Sequence, residues 1–487
     1  MALITLSALL EIGLVLSFFY VLGYVIYNLY FHPLRNFPGP FWARASLLWR
    51  IARSTDGKFH RHIELCHRKY GDVFRVSPNE LSFCHPEAWT EIYGPNNKGV
   101  AKIPKAEFYD AFGASFTVQS LGTERDPVLA LQKRSLFTSA LTPRALGSQE
   151  PVLQKNIDVF VEKLGVRRNV DMAKWFIYVG FDIIGEMAFG DSFGCIDREE
   201  SHPWLDAMLS GLRFVTIVDN LRRYPFLVKM VQFLPTSLKS GFLEVMVQFA
   251  REKTAARLEV EDTRNDFLDG VVQKVRDGTV SKAEMEAHSW NMAMAGGETT
   301  GSTMASVLYF VLRNPDVHAK LQAEVRSAFI SYDEINLTSS MQLEYVMAVL
   351  KEGSRIFPTV PQGPPRLSPG VTVAGHYVPE GTEIYVSPWA VTHDERFWDE
   401  PYAFRPERWI DPNCTDVKSA SQPFSLGPRV CPGKLFATGQ MALQLVKMFY
   451  TYDMELLDKD LDWMRACRMH FLWWKPKLNV RFIRREI

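Results

Sequence analysis

The stretch FSLGPRVCPGK, residues 424–434, holds one cysteine, Cys431, between an arginine and a Pro-Gly pair, and a helical apolar period begins just after it. Leu435, Ala442, Leu445 and Phe449 share one face of that helix. A helix N-terminus carries partial positive charge, which favours a thiolate beside it. Gly427 and Gly433 permit tight backbone and leave room around the sulfur. No second Cys or His stands at ligand spacing, so this is not a zinc loop. A lone thiolate in a glycine-lined loop suits one axial position on a cofactor's metal, and cysteine-ligated haem is the arrangement that uses it.

Two further stretches break local rules. AMAGGETTGS, residues 293–302, lies within a long helical pattern that Ser281 and Glu284 open as a capping box. Each interior glycine costs about 1 kcal/mol relative to alanine, and Glu298 adds a charge in mid-helix. Glycines there would let something flat approach the helix, with Glu298 and Thr299 setting a carboxylate and a hydroxyl beside it. The plain alternative is two short helices joined by a loop. In LKEGSRIFP, residues 350–358, the apolar positions fall on several helix faces, as in a buried helix. Glu352 and Arg355 are then a buried pair in need of a third partner; otherwise they are an i,i+3 surface pair of about 0.2–0.5 kcal/mol.

The chain has 487 residues, 47% hydrophobic and 23% charged, with no repeat or low-complexity linker after residue 40, so one large domain is expected. Lys+Arg and Asp+Glu are both 55, and a neutral chain carries no signature of a nucleic-acid partner. The six cysteines are scattered without CxxC spacing, which argues against a disulfide framework. Between Ala2 and Phe31 the only charge is Glu11, a run long enough to span a bilayer. Residues 1–31 are therefore read as a transmembrane anchor, 32–40 (HPLRNFPGP) as a proline-rich hinge, and 41–487 as the catalytic domain. A core helix is the alternative for the first segment. Arg35, Arg44, Arg50 and Arg53 follow the span and no Lys or Arg precedes it, which places the body in the cytoplasm. The body reads as mainly α with a small β region: strands around a Pro-Asn turn at 71–84, helices from 128 to 357, strands and turns from 358 to 408, and a final helix from Lys434.

The chain resembles the cytochrome P-450 family. Phe424, Gly427, Arg429, Cys431 and Gly433 match its haem-binding loop, AGGETT its oxygen-activating helix, and EGSR its E-x-x-R helix. PPRLSP (364–369) and FRPERW (404–409) resemble two further family segments, and the order is preserved over nearly the whole chain. The anchor and FPGP are similar to microsomal members, and FDIIGEMAFGDSFG (181–194) to fungal members that tailor terpenoids, polyketides and alkaloids. The resemblance implies that Cys431 is the axial thiolate of haem b and that Glu352, Arg355 and Arg408 form a buried triad. It implies that Arg429, Arg366 and Arg134 bind the propionates, although Ala130 stands where the pattern has an aromatic residue or His. Thr299, with Glu298, would relay protons.

The function implied by this resemblance is that of a haem-thiolate monooxygenase acting on an apolar small molecule, in secondary metabolism. The resemblance also implies O2, electrons from an NADPH-dependent cytochrome P-450 reductase, and a single-pass place in the endoplasmic reticulum membrane. A same-fold enzyme that couples, cyclises or rearranges without oxygen insertion is the alternative; a haem-binding scaffold without turnover is a second. Lys133, Arg134, Arg429 and Lys434 are candidates for a basic docking face, and Phe108, Phe112, Phe116, Met292, Ala295 and Val360 to Gln362 for pocket walls.

Overall fold

Alternation around Pro78-Asn79 folds the chain back on itself as β1 (Val73–Ser77) and β2 (Glu80–Phe83), which pair antiparallel. The computed structural model describes residues 2–96, 99, 102–224, 241–260 and 266–486. The helices that matter here are α1 (Ala2–Ile26), α2 (Phe41–Ala45), α3 (Pro127–Ser135), α4 (Met172–Phe189), α5 (Pro203–Leu221), α6 (Lys282–Arg313), α7 (Glu344–Ile356) and α8 (Lys434–Thr451). α4 is buried along almost its whole length because its sequence is apolar on every face. It lies against α6, and the two form the centre of a mainly helical body.

α6 is one continuous helix through the AGGETT stretch, so the two-helix alternative falls. Ser281 caps it by accepting from the Glu284 N–H at 3.1 Å. The expected box is only half made, because the Glu284 carboxylate turns to Lys133 at 3.0 Å. α7 is buried on several faces, as its pattern predicts.

Eleven short strands make up the β part among the described residues. β3 is Asn169–Asp171; β4 to β7 are Arg366–Leu367, Val371–Val373, His376–Val378 and Glu383–Val386. One sheet has the order β1-β2-β7-β4, in which β2 and β7 are parallel and join segments three hundred positions apart. Residues 388–392 and 406–409 of the expected strand-and-turn region are instead helical turns. Beyond α8 the chain forms β8 (Tyr452–Leu456), β9 (Arg468–His470), β10 (Leu472–Trp474) and β11 (Asn479–Arg484). β11 pairs with β3 and β8, and β9 with β10 as a hairpin. The sequence pattern predicts no strand there. These strands are three to six residues long, too short to display a period of two against the aromatic and basic residues around them.

α1 is the one helix among the described residues long and apolar enough to cross a membrane, and the apolar stretch runs on from it to Phe31, with Asn28 near its end buried against the body.

Candidate active site

The Cys431 loop is closed by its own backbone. The Cys431 N–H donates to Phe424 O at 2.8 Å, and Val430 N–H to Gly427 O at 3.0 Å. Gly427 has φ +64°, and a Cβ there would lie 2.4 Å from Tyr93 O, so no other residue fits. A Cβ at Gly433 would meet only the Cys431 sulfur, at 4.0 Å, so that glycine keeps the space around the sulfur clear. α8 starts at Lys434 with Gly433 as its cap. The sulfur faces an internal cavity rather than packed side chains. Burial pushes the Cys431 thiol up, while the Gly433 N–H, Arg134 and Lys434 pull it back down. A bound metal cation would complete that stabilisation of the thiolate.

That cavity has a volume of about 310 Å³. Cys431, Phe424 and Phe436 line one side; Met292, Ala295 and Thr299 of α6 line another. The loop and the helix hydroxyl, far apart in sequence, therefore share one chamber. Thr299 Oγ1 donates to Ala295 O at 2.5 Å, parked on its own helix. Glu298 is placed elsewhere. Its Oε1 accepts from Ser302 Oγ at 2.5 Å and from Lys475 Nζ, just after β10, at 2.6 Å. Its Oε2 is buried without a partner among the described residues. Successive helix residues point about 100° apart, so Glu298 faces the C-terminal hairpin when Thr299 faces the cavity.

The glycines of AGGETT also need a correction. A Cβ at Gly296 would lie 2.6 Å from Ile184 Cδ1, one at Gly297 3.2 Å from Phe181 Cα, and one at Gly301 2.9 Å from Ile177 N. From the other helix, a Cβ at Gly180 would meet Gly297 O at 2.8 Å. What approaches the glycine face is α4. Of the three glycines on α6 only Gly296 also borders the cavity, together with Ala295, Thr299 and Thr300.

A cationic rim surrounds the chamber. Lys105, Arg134 and Arg429 line it, and Arg366 stands opposite Lys105 across an antiparallel bridge. None of the four has a carboxylate within 4.0 Å among the described residues. Arg429 Nη2 donates to Arg125 O and Asp126 O, at 3.2 and 3.0 Å, but its Nη1 is buried and unpaired, as is Arg366 Nη1. Lys105 Nζ donates to Gly122 O at 2.5 Å. Burial, Arg429 and Arg366 push the Lys105 ammonium well below its ordinary value. Burial and Arg366 push Arg429 down to about 10. Buried cations that repel one another, with donors left unpaired, fit a ligand bearing carboxylates. Arg134 Nη1 donates to Val430 O at 2.7 Å and braces the cysteine loop. Ala130 is buried on the same wall, too small to reach a ligand. Lys105 was missed in the sequence; its only signal is a lysine inside the apolar, proline-bearing run IPKAEFY.

The triad forms behind the loop. Glu352 accepts from Arg355 Nε and Nη2 at 2.8 Å each, from Arg408 Nε at 3.1 Å, from Trp409 Nε1 at 2.9 Å and from the Arg405 N–H at 3.0 Å. Asp416, not foreseen, pairs with Arg408 and balances the second guanidinium.

Two other expectations fail. Lys133 is buried, donating to Gln119 O at 2.7 Å and to Glu284, and Arg134 and Arg429 also turn inward. Of the four candidates for a docking face only Lys434 is exposed. Phe108, Phe112 and Phe116 form an aromatic group with Trp290 and Phe471 instead of lining the chamber, and Val360 to Gln362 do not line it either.

Comparison with known proteins agrees with this geometry. The cytochrome P450 family profile matches residues 36–482. Cytochrome P450 monooxygenase ORF9 of Penicillium roqueforti (strain FM164) is 45% identical over 469 residues, covering 95% of this chain and 92% of the relative. Cytochrome P450 monooxygenase BOT4 of Botryotinia fuckeliana is 43% identical over 462 residues, covering 94% and 88%. Cytochrome P450 monooxygenase astJ of Aspergillus oryzae (strain ATCC 42149 / RIB 40) is 33% identical over 477 residues, covering 95% and 94%.

Proposed function

The chain belongs to the cytochrome P450 family and is a monooxygenase, and from that premise we propose that it oxidises an apolar natural product of the terpenoid, polyketide or alkaloid class. Cys431 is the residue to hold the haem iron, and Lys105, Arg134, Arg366 and Arg429 are those to hold its carboxylates. The haem, when bound, supplies the activation of O2. Inserting one oxygen atom also reduces the other to water, which consumes two electrons and two protons. The electrons come from an NADPH-dependent reductase.

The protons must cross an otherwise apolar chamber. Thr299 Oγ1 serves as the last donor, exchanging its bond to Ala295 O for one to the reacting oxygen. Glu298, held by Lys475 and Ser302, reaches that hydroxyl only by giving up those bonds. Met292 and Ala295 offer an apolar wall, which suits a hydrocarbon-rich substrate and excludes water. α1 and the arginines after it support a membrane anchor with the body on the cytoplasmic side, and the endoplasmic reticulum is the membrane this reading assigns.

The observation that carries this reading is the single chamber shared by the Cys431 sulfur and Thr299, with uncompensated cations at its rim. The reduced carbon monoxide complex should show the long-wavelength Soret band of a thiolate ligand, and Cys431→Ala should lose it. Turnover under labelled O2 with candidate scaffolds should leave one labelled atom in the product. A retained band in the variant, or product without label, would overturn the assignment.

A further inference from the structure

The proline segment after the span invites the idea of a hinge, yet the chain there is fastened at every step. Tyr27–Phe31, the last turn of the membrane helix, winds as a π-helix closed by His32 N–H to Tyr27 O at 2.8 Å. Within it Asn28 is 2% exposed. Its Nδ2 donates to Ala45 O at 3.0 Å, and its carbonyl accepts from Arg75 Nη1 at 2.8 Å. Arg75, wholly buried in β1, also donates Nε and Nη2 to Pro78 O, at 2.9 and 2.6 Å. The backbone N–H of the same residue donates to Pro38 O at 2.7 Å. A Cβ at Gly39 would stand 2.6 Å from Arg75 O, so the strap lies directly on the strand. Arg44 Nη2 donates to Arg35 O at 3.2 Å across the bend.

Beside this junction is an apolar face without a partner. Phe41, Trp42 and Leu48 are 55%, 60% and 62% exposed, and they continue the exposed Tyr30 and Phe31 of the span. Arg35 and Arg53 stand exposed around them. Aromatic residues with flanking arginines at the end of a membrane helix match the chemistry of the headgroup layer. Continuity with the span is what selects lipid as the cover for this face.

We propose that residues 27–45 weld the membrane helix to the catalytic body, so that the body is held in one orientation with Phe41, Trp42 and Leu48 set into the bilayer interface. The inference rests on reading α1 as a membrane span. A free linker of the length of residues 32–40 would let the body wander by about 15–18 Å. The Asn28, Arg75 and Pro38 bonds remove that freedom and hold the body at a constant height against the bilayer.

The test uses the full haem-loaded chain, one copy per nanodisc of phosphatidylcholine and phosphatidylserine. Linear dichroism of the haem band on oriented discs should give one narrow tilt, and Asn28→Ala should broaden its spread at least about twofold, as expected for a released linker. Lipid brominated near the glycerol should remove the emission of Trp42, one of 12 tryptophans, and Trp42→Phe should abolish that share of the quenching. A broad tilt in the unaltered protein, or Trp42 quenched by acrylamide and not by brominated lipid, would overturn the weld. Protection of Trp42 that appears only with two copies per disc would assign the face to a second copy and overturn it too. If Asn28→Ala fails to fold, the tilt of the unaltered chain and the Trp42 pair still decide. Failure of the span itself is seen separately, as release of the chain from membranes by alkaline carbonate.

Discussion

Glu352→Gln is the smallest change that opens the buried charge cluster. The Glu352, Arg355 and Arg408 side chains have no solvent exposure, and the cluster is balanced as two guanidiniums against Glu352 and Asp416. Glutamine keeps the shape, removes one negative charge and turns one acceptor oxygen into a donor. If Oε2 is the atom replaced, Arg355 Nε and Trp409 Nε1 lose their acceptor; if Oε1, three donors do. Orphaned buried donors cost about 1–3 kcal/mol each, and breaking a buried ion pair about 3–5 kcal/mol in total. For 487 residues the unfolding entropy is on the order of 1 kcal/mol/K. The expected loss is then about 3–5 °C in thermal midpoint, read by loss of the thiolate-type carbon monoxide band on heating. Lys155→Ala, which opens the exposed pair with Glu186 at 3.0 Å, should move the midpoint by less than about 1 °C. A Glu352→Gln midpoint as close to wild type as that control would refute the claim that charge pairing holds this cluster.

Lys105→Met should leave the fold intact but weaken the hold on haem, seen as at least about tenfold faster transfer to a haem-free globin, the size expected for one charge-assisted contact. Transfer at the wild-type rate would remove Lys105 from the rim. Lys475→Met strands the Glu298 carboxylate, and about 3–5 kcal/mol of stability should go with it, while Lys475→Arg should restore most of the midpoint; equal midpoints for both variants would contradict a buried ion pair. His288 and Lys133 hold Glu284 down to about 2 from 4.5, against the opposing effect of burial. Its folded value is depressed, so its contribution is complete above about pH 4.5 and is lost as pH falls towards about 2. Glu284→Gln should therefore flatten the stability profile across that window, and an unchanged profile would show that the His288–Glu284–Lys133 chain contributes nothing.

The cysteine loop and the triad could be read from sequence because their chemistry demands rare residues at short spacing: Gly427 at positive φ, Cys431 before a helix, Glu352 one helical turn from Arg355. What could not be read depends on direction. AGGETT is equally compatible with a flat ligand or a neighbouring helix, and only the approach of α4 at Ile177, Phe181 and Ile184 separates the two. Glu298 and Thr299 are adjacent in sequence, yet one helical step sends them to opposite neighbours. Lys133 reads as a surface cation because basic residues mostly are; here Gln119 O and the Glu284 carboxylate draw it inward. Lys105 belongs to the site through a strand bridge to Arg366 across more than two hundred residues, a pairing that no local pattern announces.

The crossing of α4 and α6 divides the long helix into a frozen half and a free half. A methyl group at Gly301 would press on the Ile177 backbone, one at Gly296 would have to displace the Ile184 side chain, and one at Gly297 would crowd Phe181, so those positions have little room to change. Met292 and Ala295, a few ångströms away, border empty space and can grow or shrink without disturbing the crossing. A lineage that changes what it oxidises can thus reshape the chamber from one side of a single helix while the architecture stays as it is.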